Sequence, residues 1–267
     1  MELVNCFQDE TFHRKVAVGL LWSSPPLYIL LRKRITAPFG KHSSSGWGPT
    51  LDPRIAWFLF ECPNLIVTLI TYRSRLRNQT DGNAPVLTMA SKILLCMYCG
   101  HYINRSIIYP CRLGKASQRV NLAVVCSAFA FCTVNGYLQS HHYLRFHQYE
   151  EDAHKKPYFI IGFVLFLSGV CINIYHDNIL RALRNQYPPQ YKIPIGGLFH
   201  YISCANFTGE IIEWFGYALS SNSLVAWSFF AWVCANLIPR AISHHEYYLK
   251  KFEDYPQNRW AIIPVLA

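Results

Sequence analysis

The chain has 267 residues, 52% of them hydrophobic and only 15% charged, with 25 Lys and Arg against 15 Asp and Glu for a formal charge of +10. Soluble domains carry about a quarter charged residues, and this many apolar and aromatic side chains argues against a disordered chain. Ten cysteines placed mostly inside apolar runs do not suit a secreted disulfide scaffold. Lys and Arg punctuate hydrophobic stretches rather than gathering on one face, so no nucleic-acid partner is expected.

A mean hydropathy of only +0.12 averages over a sharp segregation into seven apolar runs. A membrane helix needs about twenty mostly apolar residues. The first run, 16–31, carries Ser23-Ser24-Pro25-Pro26, which predicts a break or kink. It lacks a small-residue cleavage site and reads as a retained span rather than a signal peptide. The second, 55–72, contains Trp57, Phe60 and an ionisable Glu61. The third, 86–109, places Tyr98, Tyr102, Arg105 and Tyr109 on one helix face. The fourth is 120–142. The fifth, 158–176, continues into a stripe of Asn173, Asp177, Arg181 and Arg184. The sixth, 197–220, carries Ser203, Asn206, Glu210, Glu213 and Tyr217 on one face. The seventh, 222–239, leads into Arg240, His244, Tyr248 and Lys251.

The expected fold is thus an all-α integral membrane protein, a single domain over 1–267 with seven transmembrane helices. Loops on the C-terminal side hold fifteen Lys and Arg against eight on the other. The positive-inside rule then makes the N-terminus lumenal and the C-terminus cytosolic. The sequon at Asn78 falls on the lumenal side, whereas those at Asn104 and Asn206 lie inside apolar runs.

Ionisable groups within a span are costly and usually face the bundle interior. Four polar stripes whose ends reach the basic side point to a shared cavity opening to the cytosol. Arg184, Lys192 and Arg240 would attract a phosphate-bearing ligand there. Asn, Asp, Glu and Tyr beside them suit ribose hydroxyls and amides. Glu61 and Tyr102 each lie about 10 Å below the cytosolic surface on consecutive antiparallel helices. Such a pair can polarise a carbonyl, with the phenol donating to a developing oxyanion. Other signals fail. There is no GxGxxG after a strand and no GxxxxGK[ST]. Cys96-x-x-Cys99 lies within a span, and the adjacent pairs His141-His142 and His244-His245 point to different helix faces, so no metal is expected.

The C-terminal third carries Tyr191-Lys192-Ile193-Pro194-Ile195-Gly196-Gly197-Leu198-Phe199, then Ala205-Asn206-Phe207-Thr208-Gly209-Glu210-Ile211-Ile212-Glu213-Trp214. It ends on His244-His245-Glu246-Tyr247-Tyr248-Leu249-Lys250-Lys251-Phe252-Glu253-Asp254-Tyr255-Pro256. With Arg54 to Glu61, His101-Tyr102, Phe131 to Gln139 and Asn173 to Asp177, these stretches closely resemble the steroid 5α-reductase (3-oxo-5α-steroid 4-dehydrogenase) family over roughly 54–267. The animal type 1 and type 2 enzymes look closest. The resemblance implies a seven-helix protein of the endoplasmic reticulum membrane that uses NADPH to saturate the 4,5 double bond of 3-oxo-Δ4 steroids such as testosterone and progesterone. It implies that Glu61 and Tyr102 hold the steroid 3-ketone, with Trp57 and Phe60 beside the substrate. It also implies that Asn173, Asp177, Arg184, Tyr191, Lys192, Asn206, Glu210, Arg240, His244 and Tyr248 line the NADPH pocket.

Three departures stand out. Phe60 replaces a Gln of one animal isoform, and Lys192 replaces a frequent Arg, a point charge in place of a fork. The loop 110–121 aligns poorly, leaving Arg112, Lys115 and Arg119 open as phosphate contacts. A monomer taking its substrate from the bilayer is expected. The rival readings are a membrane reductase of trans-2-enoyl thioesters or polyprenols, an S-adenosylmethionine-dependent methyltransferase and a transporter. Enoyl-thioester reductases of this kind usually carry an extra N-terminal domain, which favours the steroid reading.

Overall fold

The computed structural model describes residues 9–33, 48–80, 86–114, 117–184 and 192–262, with the side chain of Arg184 outside the description. Tyr191 and Lys115 also lie outside the described residues. The long helices are α1 (Glu10–Lys33), α2 (Pro53–Thr80), α3 (Met89–Ile103), α5 (Leu122–His141), α6 (Pro157–Arg184), α7 (Ala205–Ser221) and α8 (Leu224–Lys251). Helix α3 runs on through a π-helical turn, Asn104–Ile108, into the short α4 (Tyr109–Cys111), and α5 continues through a second π turn, His142–Phe146. Two-residue strands β1 (Thr50–Leu51) and β2 (Val120–Asn121) pair antiparallel, Thr50 opposite Asn121. They tie the starts of α2 and α5 to one end of the bundle.

Local sequence explains the helix ends. Thr88 caps α3 by accepting from the Ser91 amide, and Ser223 caps α8 by accepting from the Ala226 amide. Pro53 opens α2, where its missing N–H costs nothing. Asn222 adopts the left-handed conformation (φ 46°), which lets α7 turn into α8 within two residues.

Among the described residues, four helices are long and apolar enough to cross a membrane: α2, α5 with its π turn, α6 and α8. Only 28% of the most apolar stretch of α6 is buried inside the protein. Ile160, Ile161, Val164 and Leu167 point outward from it. An exposed apolar surface of this kind suits lipid better than water. The nine cysteines among the described residues are all free.

Three expectations are corrected. Helix α1 does not break at Pro25-Pro26. Proline's fixed φ is itself helical. The hydroxyls of Ser23 and Ser24 both donate to the Leu20 carbonyl, and α1 is held along α8. The sixth run is α-helical only from Ala205, after a 3-10 turn at Gly197–His200, because Gly196 and Gly197 take positive φ (109° and 52°) and the segment before α7 pairs with the C-terminal tail. There the amides of Ser203 and Cys204 donate to the carbonyls of Trp260 and Ala261. The seventh run does not end at 239. Helix α8 continues to Lys251, so the end of apolarity is not the end of the helix, and Arg240, His244, Tyr248 and Lys251 lie on it as their helical spacing implies.

The closest helix contact is between α6 and α7, which run antiparallel. Gly162 and Gly169 on α6 face Gly216 and Gly209 on α7, each pair seven residues apart and so on one face. A methyl group on Gly162 would lie 2.5 Å from the Gly216 carbonyl oxygen, and one on Gly209 would lie 2.5 Å from the Asn173 amide nitrogen. Backbones that approach this closely admit only glycine. Gly209→Ala is therefore expected to lower the melting temperature of the detergent-solubilised protein, at a cost of about 1–3 kcal/mol from overpacking. An unchanged melting temperature would show that the seam has slack.

Candidate functional site

The glycine seam determines what lies just beyond it. Asn173 is one turn past Gly169, and Asp177 one turn further, while Asn206 and Glu210 flank Gly209 on α7. The Asn173 amide nitrogen donates to the Asn206 carbonyl (3.0 Å) and the Glu210 carboxylate (3.4 Å). The Asn206 side chain donates to Asp177 Oδ1 at 2.9 Å. Four residues expected at the cofactor site thus meet.

Arg105 joins them from α3's π turn. Its guanidinium lies 3.1 Å from Asp177 Oδ2 and 3.8 Å from Glu210 Oε2, and it packs over the rings of Trp57 (4.6 Å) and Tyr109 (5.1 Å). The π turn carries one extra residue per turn, a feature frequent at functional sites. Arg105 is buried, and its Nε has no hydrogen-bond partner among the described residues. The sequence marked Arg105 only as part of the Tyr98–Tyr109 stripe. Its role as the hub of the site was hidden because its partners lie on α6 and α7.

The depth argument for Glu61 and Tyr102 agrees with contacts on either side of the pair. Trp57 meets Tyr109 (4.8 Å between ring centres), and Asn64 accepts from the Tyr98 hydroxyl at 2.6 Å. Glu61 and Tyr102 fall between those contacts on the facing helices. The hydrogen bond of the Tyr102 hydroxyl is with the Asn135 amide, at 3.1 Å, while the Glu61 carboxylate accepts from the Cys132 thiol at 3.7 Å. Tyr102 is buried and Glu61 half-buried. Trp57 is half-buried next to Phe60 (5.6 Å), which is buried with Ala56, Val120 and Val125. Asn135 was not anticipated as a site residue. The signal for it was an amide pair, Asn135 and Gln139, one turn apart in an apolar run.

Behind Tyr102, His101 Nδ1 and the Glu213 carboxylate form a buried pair at 2.5 Å. The His101 ring packs on Trp214 at 4.5 Å. This satisfies the second ionisable residue of the sixth run without placing it among the Arg105 partners.

The remaining cofactor candidates form an outer tier. Arg240 lies over Phe207 (5.4 Å), and its guanidinium donates to Asn236 at 3.3 Å. His244 packs beside Phe207 at 5.8 Å. Tyr248 stacks on Tyr255 (5.3 Å), whose hydroxyl bonds Ser203 at 2.7 Å. Lys192 is exposed. Arg119 is engaged by Thr50, with Nε 2.9 Å from the hydroxyl, and Arg112 is exposed. No group of three or more His, Cys, Asp or Glu among the described residues could hold a metal ion.

The loop from Lys192 to α7 is pinned to α6 by His176. Its Nδ1 donates to the Ile172 carbonyl (2.7 Å), leaving Nε2 to accept from the Leu198 amide (2.9 Å). A side chain at Gly197 would run into that ring.

Comparison with known proteins identifies relatives of this chain. The 3-oxo-5-alpha-steroid 4-dehydrogenase family profile matches residues 118–267. The protein named steroid 5-alpha-reductase DET2 of Solanum lycopersicum is 41% identical over 97% of this chain and 98% of its own length. The 3-oxo-5-alpha-steroid 4-dehydrogenase 1 of Homo sapiens is 42% identical over 89% of this chain and 90% of its own length, and that of Bos taurus is 39% identical over the whole of both. Animal enzymes are among the relatives, as expected, with plant enzymes at the same level. The similarity also reaches the N-terminal fifty residues, beyond the stretch recognised in the sequence.

Arg105→Lys keeps the charge but loses the planar fork that reaches two carboxylates while stacking on Trp57. It is expected to cost roughly 1–3 kcal/mol of stability, read as a lower melting temperature in detergent. An unchanged value would mean that Arg105 does not hold α3, α6 and α7 together.

Proposed function

This chain belongs to the 3-oxo-5-alpha-steroid 4-dehydrogenase family of oxidoreductases, and on that premise we propose that it is an NADPH-dependent reductase of 3-oxo-Δ4 steroids such as testosterone and progesterone. The observation that carries this reading is Arg105. It stacks on Trp57 beside Tyr102 and Glu61 and pairs with Asp177 and Glu210, so a steroid pocket and a dinucleotide pocket would share one wall.

The residues present fit such a cofactor. Asn173, Asp177, Asn206 and Glu210 supply amide donors and carboxylate acceptors suited to a carboxamide and ribose hydroxyls. Arg105 Nε is a buried donor with no acceptor among the described residues. Arg240, with Arg184 and Lys192, provides cationic charge for phosphates, and Tyr191, His244 and Tyr248 complete the proposed pocket. When bound, NADPH supplies the hydride for the carbon β to the ketone.

The protein's own part is to hold and polarise the enone. Tyr102 and Glu61 hold the 3-ketone. The Tyr102 hydroxyl donates to the ketone oxygen, and this bond strengthens as the oxygen acquires enolate charge. Trp57 covers the flat steroid, and Arg105 keeps Trp57 and the acidic cluster in register. Burial of the Tyr102 phenol excludes water from the reacting carbonyl. Protonation of the α carbon completes the saturation.

In the same reading, all seven long helices span the endoplasmic reticulum membrane in a monomer, with the N-terminus lumenal. The fifteen Lys and Arg on the C-terminal side lie toward the cytosol and toward NADPH, while the steroid enters from the bilayer.

Membranes containing the protein are expected to convert testosterone or progesterone with NADPH into 5α-reduced 3-oxo products, followed by mass spectrometry. Protein that binds NADPH yet reduces neither steroid would overturn the reading, and trans-2-enoyl thioesters and polyprenols would then be the substrates to assay. Tyr102→Phe is expected to lower kcat about a hundredfold, the scale for losing an oxyanion donor, with NADPH affinity retained. Equal losses in both would remove Tyr102 from the reacting carbonyl.

A further inference from the structure

We propose that Asn135 is a positioning residue that aims the Tyr102 proton away from its own amide and so keeps it for the substrate ketone. The inference rests on the steroid-reductase reading and deepens it, because it identifies what makes Tyr102 a donor rather than an acceptor.

A phenol can do either. In a closed interior its direction is set by its neighbours. Asn135 is fully buried on α5, and its Nδ2 is 3.1 Å from the Tyr102 oxygen, 3.2 Å from the Tyr98 oxygen and 3.2 Å from Asn64 Oδ1. An amide nitrogen only donates, so Asn135 occupies a lone pair of Tyr102 and the phenolic proton must point elsewhere.

This holds only if the Asn135 amide cannot flip, and two backbone carbonyls, which can only accept, fix it. At one end the Val225 carbonyl accepts from Gln139 Nε2 at 3.4 Å. That orients Gln139, so its Oε1 accepts from the Tyr217 hydroxyl (3.3 Å) and its Nε2 donates to Asn135 Oδ1 (3.3 Å). At the other end the Glu61 carbonyl accepts from Asn64 Nδ2 at 3.4 Å. Asn64 Oδ1 therefore accepts from the Tyr98 hydroxyl (O–O 2.6 Å), and the Tyr98 oxygen is left to accept from Asn135. Asn135 has two protons, and the two phenol oxygens take them. Both ends of the network give the same answer, and donors aligned in series reinforce one another. The chain from Tyr217 through Gln139 and Asn135 thus ends on Tyr102.

The test is a double-mutant cycle on the full-length protein in membranes, read as single-turnover reduction of testosterone with NADPH binding measured separately. Asn135→Leu removes the donor and frees the Tyr102 proton to turn toward Tyr98 or Asn64. The expected result is a kcat roughly ten- to a hundredfold lower, with NADPH affinity unchanged and little further loss when the substitution is added to Tyr102→Phe. A merely structural role would multiply its loss in both backgrounds. Where Asn135→Leu fails to bind NADPH, Asn135→Ser, smaller and able to donate or accept, is measured in the same cycle and is expected to behave likewise. A kcat kept within about twofold, or an equal loss with and without the Tyr102 hydroxyl, would overturn the proposal. Unmodified protein that reduces neither testosterone nor progesterone would overturn the functional reading as well, and so the two failures are distinguishable.

Discussion

The glycine seam between α6 and α7 is the constraint on which the rest of the site depends. Gly162 and Gly169 against Gly216 and Gly209 bring two helix backbones into direct contact. In lipid such contact is favourable without a hydrophobic driving force, because dispersion and close packing act alone. The chemical consequence appears one turn along. Only at this separation can the short side chains of Asn173 and Asp177 reach Asn206 and Glu210. Longer side chains could bridge wider helices, but they would lose more rotamer entropy and hold their groups less well.

A buried cluster of carboxylates is unfavourable unless it is paired. Arg105 meets that need with a planar fork, and its apolar stem and flat face pack among Trp57 and Tyr109. The π turn that carries it departs from the regular α3 helix at the residues that must reach across. The second buried acid, Glu213, is satisfied separately by His101. Arg105 thus serves Asp177 and Glu210 while His101 serves Glu213, and the amide and phenol network around Asn135 lies beside them, with Tyr102 edge-on to His101 at 4.9 Å.

Much of this was legible along the chain, and the physical reason is periodicity. Apolar runs and one-sided polar stripes reflect the helical repeat, so the helices, the Tyr102 face and the faces of Asn173–Asp177 and Asn206–Glu210 could be read from spacing alone. The likeness of the 191–214 and 244–256 stretches to known reductases also needed no coordinates. Errors arose where a local rule met a tertiary contact. Pro25-Pro26 reads as a break, yet α1 is held against α8. The sixth run reads as helical from 197, yet Gly196 and Gly197 limit the chain there to a 3-10 turn, and contacts with the returning Trp260–Ala261 segment keep it out of the α-helix until Ala205. Apolarity ends at 239, yet α8 continues because a helix needs hydrogen bonds, not hydrophobicity, to propagate.

The sequence by itself determined which residues share a helix face, which groups are too polar for lipid, and the family to which they belong. Only the tertiary structure decided which faces meet. It made Arg105 the link between Trp57 and the Asp177–Glu210 cluster. It paired Glu213 with His101 and put Asn135, a residue of an apolar run to which the sequence assigned no role, in contact with the Tyr102 hydroxyl. Those pairings join residues from 33 to 112 positions apart, and hydrogen-bond direction within them depends on neighbours from several helices at once. Spacing along one helix carries no information of that kind.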